Sequence, residues 1–222
     1  MTGAGKSSTI NTFFSALDPD GRTVSIVPTG THPDSFTPEL RYFKSNSLKF
    51  WDPSGWNSQK DKANKVLRMI LEGRVPPGTN LQYFNPDSAA AQYSVIPENE
   101  IHGVAFIFNI NTIDNIHGNE MKEFQELQTI VGQKYIYRIV IGTHFDHLGI
   151  SESYSQYIYE YKRLQEKFKK LSANTMMEKH IMFTISNEWK GDKIEETKCV
   201  LALYALENMV RNIDQYMKIT QQ

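Results

Sequence analysis

Cysteine is almost absent from this chain. The 222 residues include one cysteine, Cys199. A single cysteine excludes a disulfide within the chain and any zinc site built from several thiolates. The histidines at positions 32, 102, 117 and 147 have no cysteine or glutamate at metal-ligand spacing, and we interpret them as surface or structural residues. The scarcity of cysteine predicts a reducing compartment, and we expect a cytoplasmic location.

An excess of charge of either sign is also lacking. Lysine and arginine number 24, aspartate and glutamate number 25, and the net charge is −1. Proteins that follow nucleic-acid phosphates carry a surplus of positive charge, so we expect no nucleic acid among the partners. No run of about 18 apolar residues occurs, and the sequence therefore predicts no transmembrane segment.

Segments with strand-like and helix-like patterns alternate along the chain. Two nearly continuous apolar runs, Val104–Phe108 and Ile136–Ile141, are typical of strands covered on both faces. The alternation predicts one α/β domain over residues 1–222, with a mostly parallel sheet and helices on both faces. The predicted strands are Thr23–Val27, Glu39–Phe43, Leu48–Trp51, Gly103–Ile110, Tyr135–Ile141 and Ile181–Ser186. The predicted helices are Ser8–Leu17, Asp61–Leu71, Glu120–Val131, Ser153–Leu171 and Ile194–Met217.

The segment Gly3-Ala-Gly-Lys-Ser-Ser8 matches the second half of the phosphate-binding loop G-x-x-x-x-G-K-[ST]. In such a loop, backbone N–H groups surround the β-phosphate, the lysine reaches the β- and γ-oxygens, and the next hydroxyl holds Mg²⁺. Lys6 and Ser7 stand at those two positions. The alternative is that Ser7 or Ser8 only caps the helix that begins here.

The leading glycine of this loop would fall one position before Met1. The strand that normally feeds such a loop has no counterpart among the residues that precede Gly5. We therefore expect the first strand of the sheet, followed by that glycine, ahead of residue 1.

A second motif, Asp52-Pro-Ser-Gly55, directly follows the predicted strand Leu48–Trp51. In nucleotide switches, an aspartate at a strand end holds Mg²⁺ through water, and the glycine brings a backbone N–H to the γ-phosphate. Asp-Pro-Ser-Gly is also good turn chemistry, so a plain turn is the alternative. The order of phosphate loop, helix, two strands and D-x-x-G favours a Mg²⁺ site.

A third motif, Thr143-His-Phe-Asp146, follows the predicted strand Tyr135–Ile141. Guanine presents N1–H and N2–H₂ side by side, and one carboxylate accepts both hydrogen bonds, whereas adenine has no such pair of donors. Asp146 would therefore select guanine. His144 replaces the usual lysine, which predicts weaker affinity and weaker guanine specificity. The alternative is that Asp146 caps the next helix.

These three motifs, together with the segment Ile101–Asn115 (I-H-G-V-A-F-I-F-N-I-N-T-I-D-N), resemble the GTP-binding domain of the interferon-induced protein 44 and 44-like family. The resemblance covers nearly the whole chain. It implies a three-layer Ras-like P-loop GTPase domain that binds GTP or GDP with Mg²⁺ and has a link to innate immune defence. In that arrangement, the strand expected ahead of residue 1 lies in the centre of the sheet.

The resemblance also implies the remaining site residues. Thr37, with Thr31 as the alternative, matches the switch threonine that contacts Mg²⁺ and the γ-phosphate. Ser186 and Asn187 end the last predicted strand, where the backbone usually lines the base pocket. The nucleotide-binding set is Gly3, Ala4, Gly5, Lys6, Ser7, Ser8, Gly55, Thr143, His144, Asp146, Ser186 and Asn187. The metal-binding set is Ser7, Thr37 and Asp52.

The sequence points to binding residues more clearly than to catalytic residues. Trp56 stands where many GTPases have the glutamine that orients the attacking water, so we expect slow or assembly-dependent hydrolysis and assign no catalytic residue. The leading expectation is a guanine-nucleotide switch, with self-association or a protein partner that the sequence does not identify. Two other classes stay open. One is a nucleotide-free interaction module. The other is a P-loop nucleotide kinase, although such an enzyme does not need the T-x-x-D motif that recognises the base.

Overall fold

Helices and strands alternate along the chain, and its class is α/β, as the sequence pattern predicts. The computed structural model describes residues 4–29, 39–53, 60–89, 92–116, 118–149, 157–188 and 191–220. In chain order the helices and strands are α1 (Lys6–Leu17), β1 (Leu40–Ser45), β2 (Leu48–Pro53), α2 (Lys60–Leu71), α3 (Pro86–Ala89), β3 (Gly103–Asn109), α4 (Gly118–Gln133), β4 (Tyr137–Thr143), α5 (Lys162–Thr175), β5 (Met182–Thr184) and α6 (Glu196–Thr220). Short 3₁₀ turns include Phe145–Leu148, directly after β4.

The described strands form two small sheets. β1 and β2 make an antiparallel hairpin, in which Leu40 lies opposite Pro53. β3, β4 and β5 make a parallel sheet in that order, with Val140 of β4 opposite Met182 of β5. The predicted parallel sheet is therefore present, but its described part has three strands.

β4 is the buried centre of the parallel sheet. Ile139 and Ile141 pack in one hydrophobic cluster with Phe13 of α1 and with residues of α6. Val140, which points to the other face because side chains alternate along a strand, packs in a second cluster with Phe168 of α5 and with α4. Helices therefore cover both faces of β4, as its apolar sequence predicts.

β3 is less buried than its apolar sequence suggests. Within Val104–Phe108, Phe108 is buried and the other residues are half-buried. β3 pairs with β4 on one side and with no other strand of the described ranges. Leu48 and Phe50 of β2 join the same hydrophobic cluster as Ala105 of β3, although the two strands share no backbone pairing. Two open strand edges therefore border one apolar region.

The predicted strand Thr23–Val27 is wrong. This segment lies along α1, where two buried side chains supply hydrogen-bond partners to its backbone. Asn11 accepts from the N–H of Val27 at 2.9 Å and donates to the carbonyl of Val27 at 2.9 Å. The hydroxyl of Ser15 accepts from the N–H of Val24 at 2.7 Å. Because the buried polar side chains satisfy these groups, the segment needs no neighbouring strand.

The predicted helix Ser153–Leu171 also differs from the structure. Residues 151–156 lie outside the described ranges, residues 157–160 form a 3₁₀ turn, and α5 begins at Lys162. The side chain of Tyr159 in this turn is tied to β5, because its hydroxyl accepts a hydrogen bond from the N–H of Thr184 at 3.2 Å. Burial raises the pKa of Tyr159 to about 12, so the ring stays neutral at physiological pH. The other predicted elements agree with the structure to within a few residues at each end.

The helix α6 packs its inner face on the parallel sheet. Ala202, Ala205 and Leu206 are buried there, whereas Val200 and Tyr204 are 57% and 50% exposed. Among the helices of the described ranges, none combines the length and the apolar character that crossing a membrane requires.

Gly142 in β4 leaves no room for a side chain. A Cβ there would lie 2.4 Å from Ile110 Cγ2 and 3.2 Å from Phe168 Cε1. We predict that Gly142→Ala lowers the free energy of unfolding by about 1–3 kcal/mol, because overpacking displaces these neighbours. Gly118→Ala is the matched control, since no atom lies within 4 Å of a Cβ at that position. Urea unfolding followed by circular dichroism compares them, and equal stability of the two variants would contradict this packing.

Candidate functional site

Most of the predicted site residues meet at one edge of the parallel sheet. β3, β4 and β5 run parallel, so their carboxyl ends share this edge. Ligands of open α/β sheets bind at such an edge. The first residues of α1 lie here and contact β2, β4 and the loop that follows β5.

Thr143, the last residue of β4, fixes the chain just before α1. Its buried hydroxyl lies 2.9 Å from the carbonyl oxygen of Ala4, 3.2 Å from that of Phe108 and 2.8 Å from His144 Nδ1. A hydroxyl donates one proton, and the Ala4 carbonyl is the nearer of the two backbone acceptors. When Thr143 donates to Ala4, its oxygen accepts from His144 Nδ1–H.

Gly5 makes the turn that leads into α1. It is the N-cap residue of the helix, with φ 84° and ψ 26°, a left-handed conformation that glycine adopts without strain. A Cβ at Gly5 would also lie 2.7 Å from Asn187 Nδ2 and 3.7 Å from His144 Cε1. The alternative that Ser7 or Ser8 is the cap is wrong, because α1 begins at Lys6 and no side chain makes a cap hydrogen bond.

This N-terminus of α1 suits an anion. Its first turn contains no acidic residue. The N–H groups of a first turn have no partners within the helix, and the helix dipole adds partial positive charge. Lys6 is half-buried at the first helical position. Ser8, also half-buried, accepts a hydrogen bond at its carbonyl from Thr12 Oγ1 at 3.0 Å.

Two predicted metal ligands touch each other at the same place. Ser7 Oγ donates to Asp52 Oδ2 at 2.7 Å. Asp52 is 6% exposed, and its second oxygen, Oδ1, is buried without a hydrogen-bond partner among the described residues. A buried carboxylate oxygen without a partner is costly, and a bound cation would satisfy it. Hydroxyl and carboxylate oxygens are the ligand types that Mg²⁺ prefers.

Asp146, the predicted base reader, lies in the 3₁₀ turn after β4. It does not cap the next helix, because α5 begins at Lys162 with Tyr161 as its N-cap residue. In the described part of the chain, the buried Oδ1 of Asp146 has no hydrogen-bond partner. A ligand with two adjacent N–H donors, as guanine has, would satisfy this carboxylate.

His147 and Glu188 join Asp146 in a small cluster. His147 Nε2 lies 3.6 Å from Asp146 Oδ2 and 3.5 Å from Glu188 Oε1. One imidazole and two carboxylates form a donor set that could hold a divalent transition metal, and their ligand atoms lie within 4.8 Å of one another. His147 and Glu188 are exposed, and such clusters of polar side chains are also common on protein surfaces without a metal.

The loop after β5 turns one side chain toward α1. Asn187 Oδ1 accepts from Thr12 Oγ1 at 2.8 Å, and Asn187 Nδ2 donates to the carbonyl of Gly5 at 3.3 Å. Ser186 is buried, and its hydroxyl lies 3.3 Å from the carbonyl oxygen and 3.4 Å from the nitrogen of Glu188. The side chains of this loop therefore order the segment that leads into α1 and the loop itself.

Lys198 of α6 holds the same loop from behind. It is 8% exposed, donates to the carbonyl of Glu188 at 2.7 Å and pairs with Glu195 Oε1 at 2.9 Å. Sequence reasoning missed Lys198, because a lysine in an amphipathic helix is normally solvated. It missed His147 and Glu188 because residues so far apart in sequence show no metal-ligand spacing.

The structure brings together the predicted residues that it describes. They are Ala4, Gly5, Lys6, Ser7, Ser8, Asp52, Thr143, His144, Asp146, Ser186 and Asn187. Gly3, Thr37 and Gly55 lie outside the described ranges, as do the alternative Thr31 and the hydrolysis position Trp56. The resemblance that the motifs carry stays a prediction, because the chain matches no protein-family model, no curated protein and no solved structure.

Proposed function

We propose that this chain binds a guanine nucleotide together with Mg²⁺ at the carboxyl edge of its parallel sheet. The observation that carries the proposal is the contact between Ser7 and Asp52. A serine hydroxyl at the start of a helix meets a buried carboxylate that keeps one oxygen without a partner. Mg²⁺ bound between them would satisfy that oxygen and would neutralise charge on neighbouring phosphates.

The phosphates would lie against the N-terminus of α1. The turn at Gly5 directs the chain into a helix whose first turn carries no acidic side chain. Backbone N–H groups, the helix dipole and the ammonium group of Lys6 all favour negative charge at this position. Since Ser7 follows Lys6 directly, phosphate and Mg²⁺ would be neighbours, as in a Mg²⁺–nucleotide complex.

The base would lie beside the turn after β4. The unpartnered Oδ1 of Asp146 can accept from the N1–H and N2–H₂ pair of guanine. His144 lies against the phosphate loop, close to Gly5. Its side chain is shorter than that of the usual lysine, which supports moderate affinity. Slow hydrolysis, self-association and a role in innate defence are part of the proposal on the strength of the resemblance alone.

The finer fold that we propose is a three-layer Ras-like domain. β2 and β3 have open edges and contribute to one hydrophobic cluster, which supports a further strand between them. Such a strand would join the hairpin to the parallel sheet and would lead into the turn at Gly5.

We predict that Asp52→Asn removes the Mg²⁺ dependence of GTP binding. The substitution removes a buried charge that lacks a full set of partners, so thermal stability without ligand should stay equal or rise. Affinity for a fluorescent GTP analogue in Mg²⁺ should fall at least about tenfold, since a hydrogen bond to a charged group contributes about 1.5–3 kcal/mol. Lys6→Ala should lower affinity similarly and leave folding intact, whereas Lys169→Ala, at an exposed position of α5, should change neither property. Unchanged Mg²⁺ dependence in Asp52→Asn would contradict the metal site.

We also predict that Asp146→Asn shifts base preference from guanine toward xanthine. The new amide donates a hydrogen bond to the oxygen that xanthine carries in place of the 2-amino group of guanine. Competition of GTP and XTP against a fluorescent analogue measures the ranking. An unchanged ranking would mean that Asp146 does not contact the base.

A strand added between β2 and β3 should stabilise the domain. The test joins an apolar segment of about six residues, followed by a glycine, ahead of Met1. This segment would pair with backbone groups at the edges of β2 and β3. Each such group costs about 1–3 kcal/mol when it is buried without a hydrogen-bond partner. We predict a higher melting temperature and tighter Mg²⁺–GTP binding than for the 222-residue chain alone. The control is the same extension interrupted by two prolines, which remove backbone donors. Equal melting temperatures for both extensions would show that no strand is accepted there.

A further inference from the structure

We propose that Asn187 is a positioning residue that couples the base-reading loops to the phosphate loop. The inference rests on the proposed nucleotide site and assigns to Asn187 a role that the sequence motifs do not predict. Its side chain contacts Gly5, the N-cap residue of α1, and also Thr9 and Thr12, which follow Gly5 on the same face of the helix. These residues include the turn at which the phosphates would bind.

The contacts use most of the hydrogen-bonding capacity of the amide. Thr12 Oγ1 donates to Asn187 Oδ1 at 2.8 Å, while Asn187 Nδ2 lies 3.3 Å from the carbonyl oxygen of Gly5 and 3.4 Å from Thr9 Oγ1. An asparagine amide offers two donors and one acceptor oxygen. Hydrogen bonds at both the oxygen and the nitrogen therefore fix the plane of this side chain. The close approach of Nδ2 also requires glycine at position 5.

Asn187 and Thr143 hold two consecutive peptide groups of the phosphate loop. Thr143 Oγ1 lies 2.9 Å from the carbonyl oxygen of Ala4. The carbonyl oxygen of Gly5 accepts from the N–H and the hydroxyl of Thr9, both at 2.8 Å, and also from Asn187 Nδ2 at 3.3 Å. In a planar trans peptide, the N–H points opposite to the C=O of the same group. The two contacts therefore direct the N–H groups of Gly5 and Lys6 away from Thr143 and Asn187. These are backbone donors that a phosphate would use.

The other end of the coupling reaches the base reader. Asn187 is followed by Glu188, whose carbonyl is held by the buried Lys198. The carboxylate of Glu188 lies 3.5 Å from His147 Nε2, and the same nitrogen lies 3.6 Å from Asp146 Oδ2. A contiguous series of contacts thus connects Asp146 with the start of α1 through Asn187.

This arrangement fixes the distance between two half-sites, one for the base and one for the phosphates. When two binding contacts belong to one ligand, the second forms at an effective concentration that depends on how well the half-sites are positioned. Loss of Asn187 should therefore weaken a ligand that spans both half-sites. Ligands that occupy a single half-site should bind nearly as before, because neither Asp146 nor Lys6 is altered.

The test compares Asn187→Ala with the wild-type chain by titrating GDP, guanosine and inorganic pyrophosphate in Mg²⁺. We expect GDP affinity to fall about fivefold to tenfold, as for the loss of one or two hydrogen bonds, and guanosine and pyrophosphate affinity to change less than about twofold. Asn212→Ala is the matched control, since the Asn212 amide bonds to Asn208 one turn earlier in α6. It should leave all three affinities unchanged.

Two threonine variants keep the proposal testable if Asn187→Ala fails to fold. Thr12→Val removes the donor to Asn187 Oδ1 and should reproduce the selective loss for GDP, whereas Thr12→Ser keeps the hydroxyl and should retain wild-type affinity. An equal loss for all three ligands, or no loss for GDP, would overturn the coupling role and leave the nucleotide site intact. A wild-type chain that binds neither GDP nor GTP would instead refute the proposed function.

Discussion

The left-handed turn at Gly5 is the constraint on which the site depends. It begins α1 at the point where the ends of β2 and β4 and the loop after β5 come together. A side chain at this position would be strained by the backbone and would collide with the amide of Asn187. Because Gly5 turns the chain, Ala4 lies against Thr143 of β4, whereas Ser7 lies against Asp52 of β2.

Much of this arrangement could be predicted from local sequence. The buried strand β4 follows from a continuous apolar run, and α1 follows from apolar residues at helical spacing after a glycine turn. The positions of Thr143 and Asp146 follow from the rule that parallel strands place their carboxyl ends at one edge, and those of Ser7 and Asp52 follow from the order of the motifs. Sequence reasoning works well where one short segment carries both the structure and the chemistry.

The failures share a different physical cause. Residues 23–27 have strand-like composition, but buried Asn11 and Ser15 satisfy their backbone groups. The helix expected from Ser153 is broken near Tyr159, whose hydroxyl bonds to a strand far along the chain. Asn187, Glu188 and Lys198 act through contacts between distant segments. In each case a contact between residues distant in sequence determines the local structure. A short stretch of sequence does not contain that contact.

The separation of the two sheets has a mechanical consequence. In the described part of the chain, a backbone ladder joins β3 to β4, whereas β2 is tied to the segment before β3 by side-chain contacts such as that of Lys49 Nζ with the carbonyl of Glu98 at 2.7 Å. Side-chain contacts resist sliding less than a ladder of backbone hydrogen bonds does. Without a further strand between them, the boundary between β2 and β3 is therefore a shear plane. Asp52 lies on the softer side of this plane and Asp146 on the stiffer side, so displacement of the hairpin would move Asp52 and leave Asp146 in place.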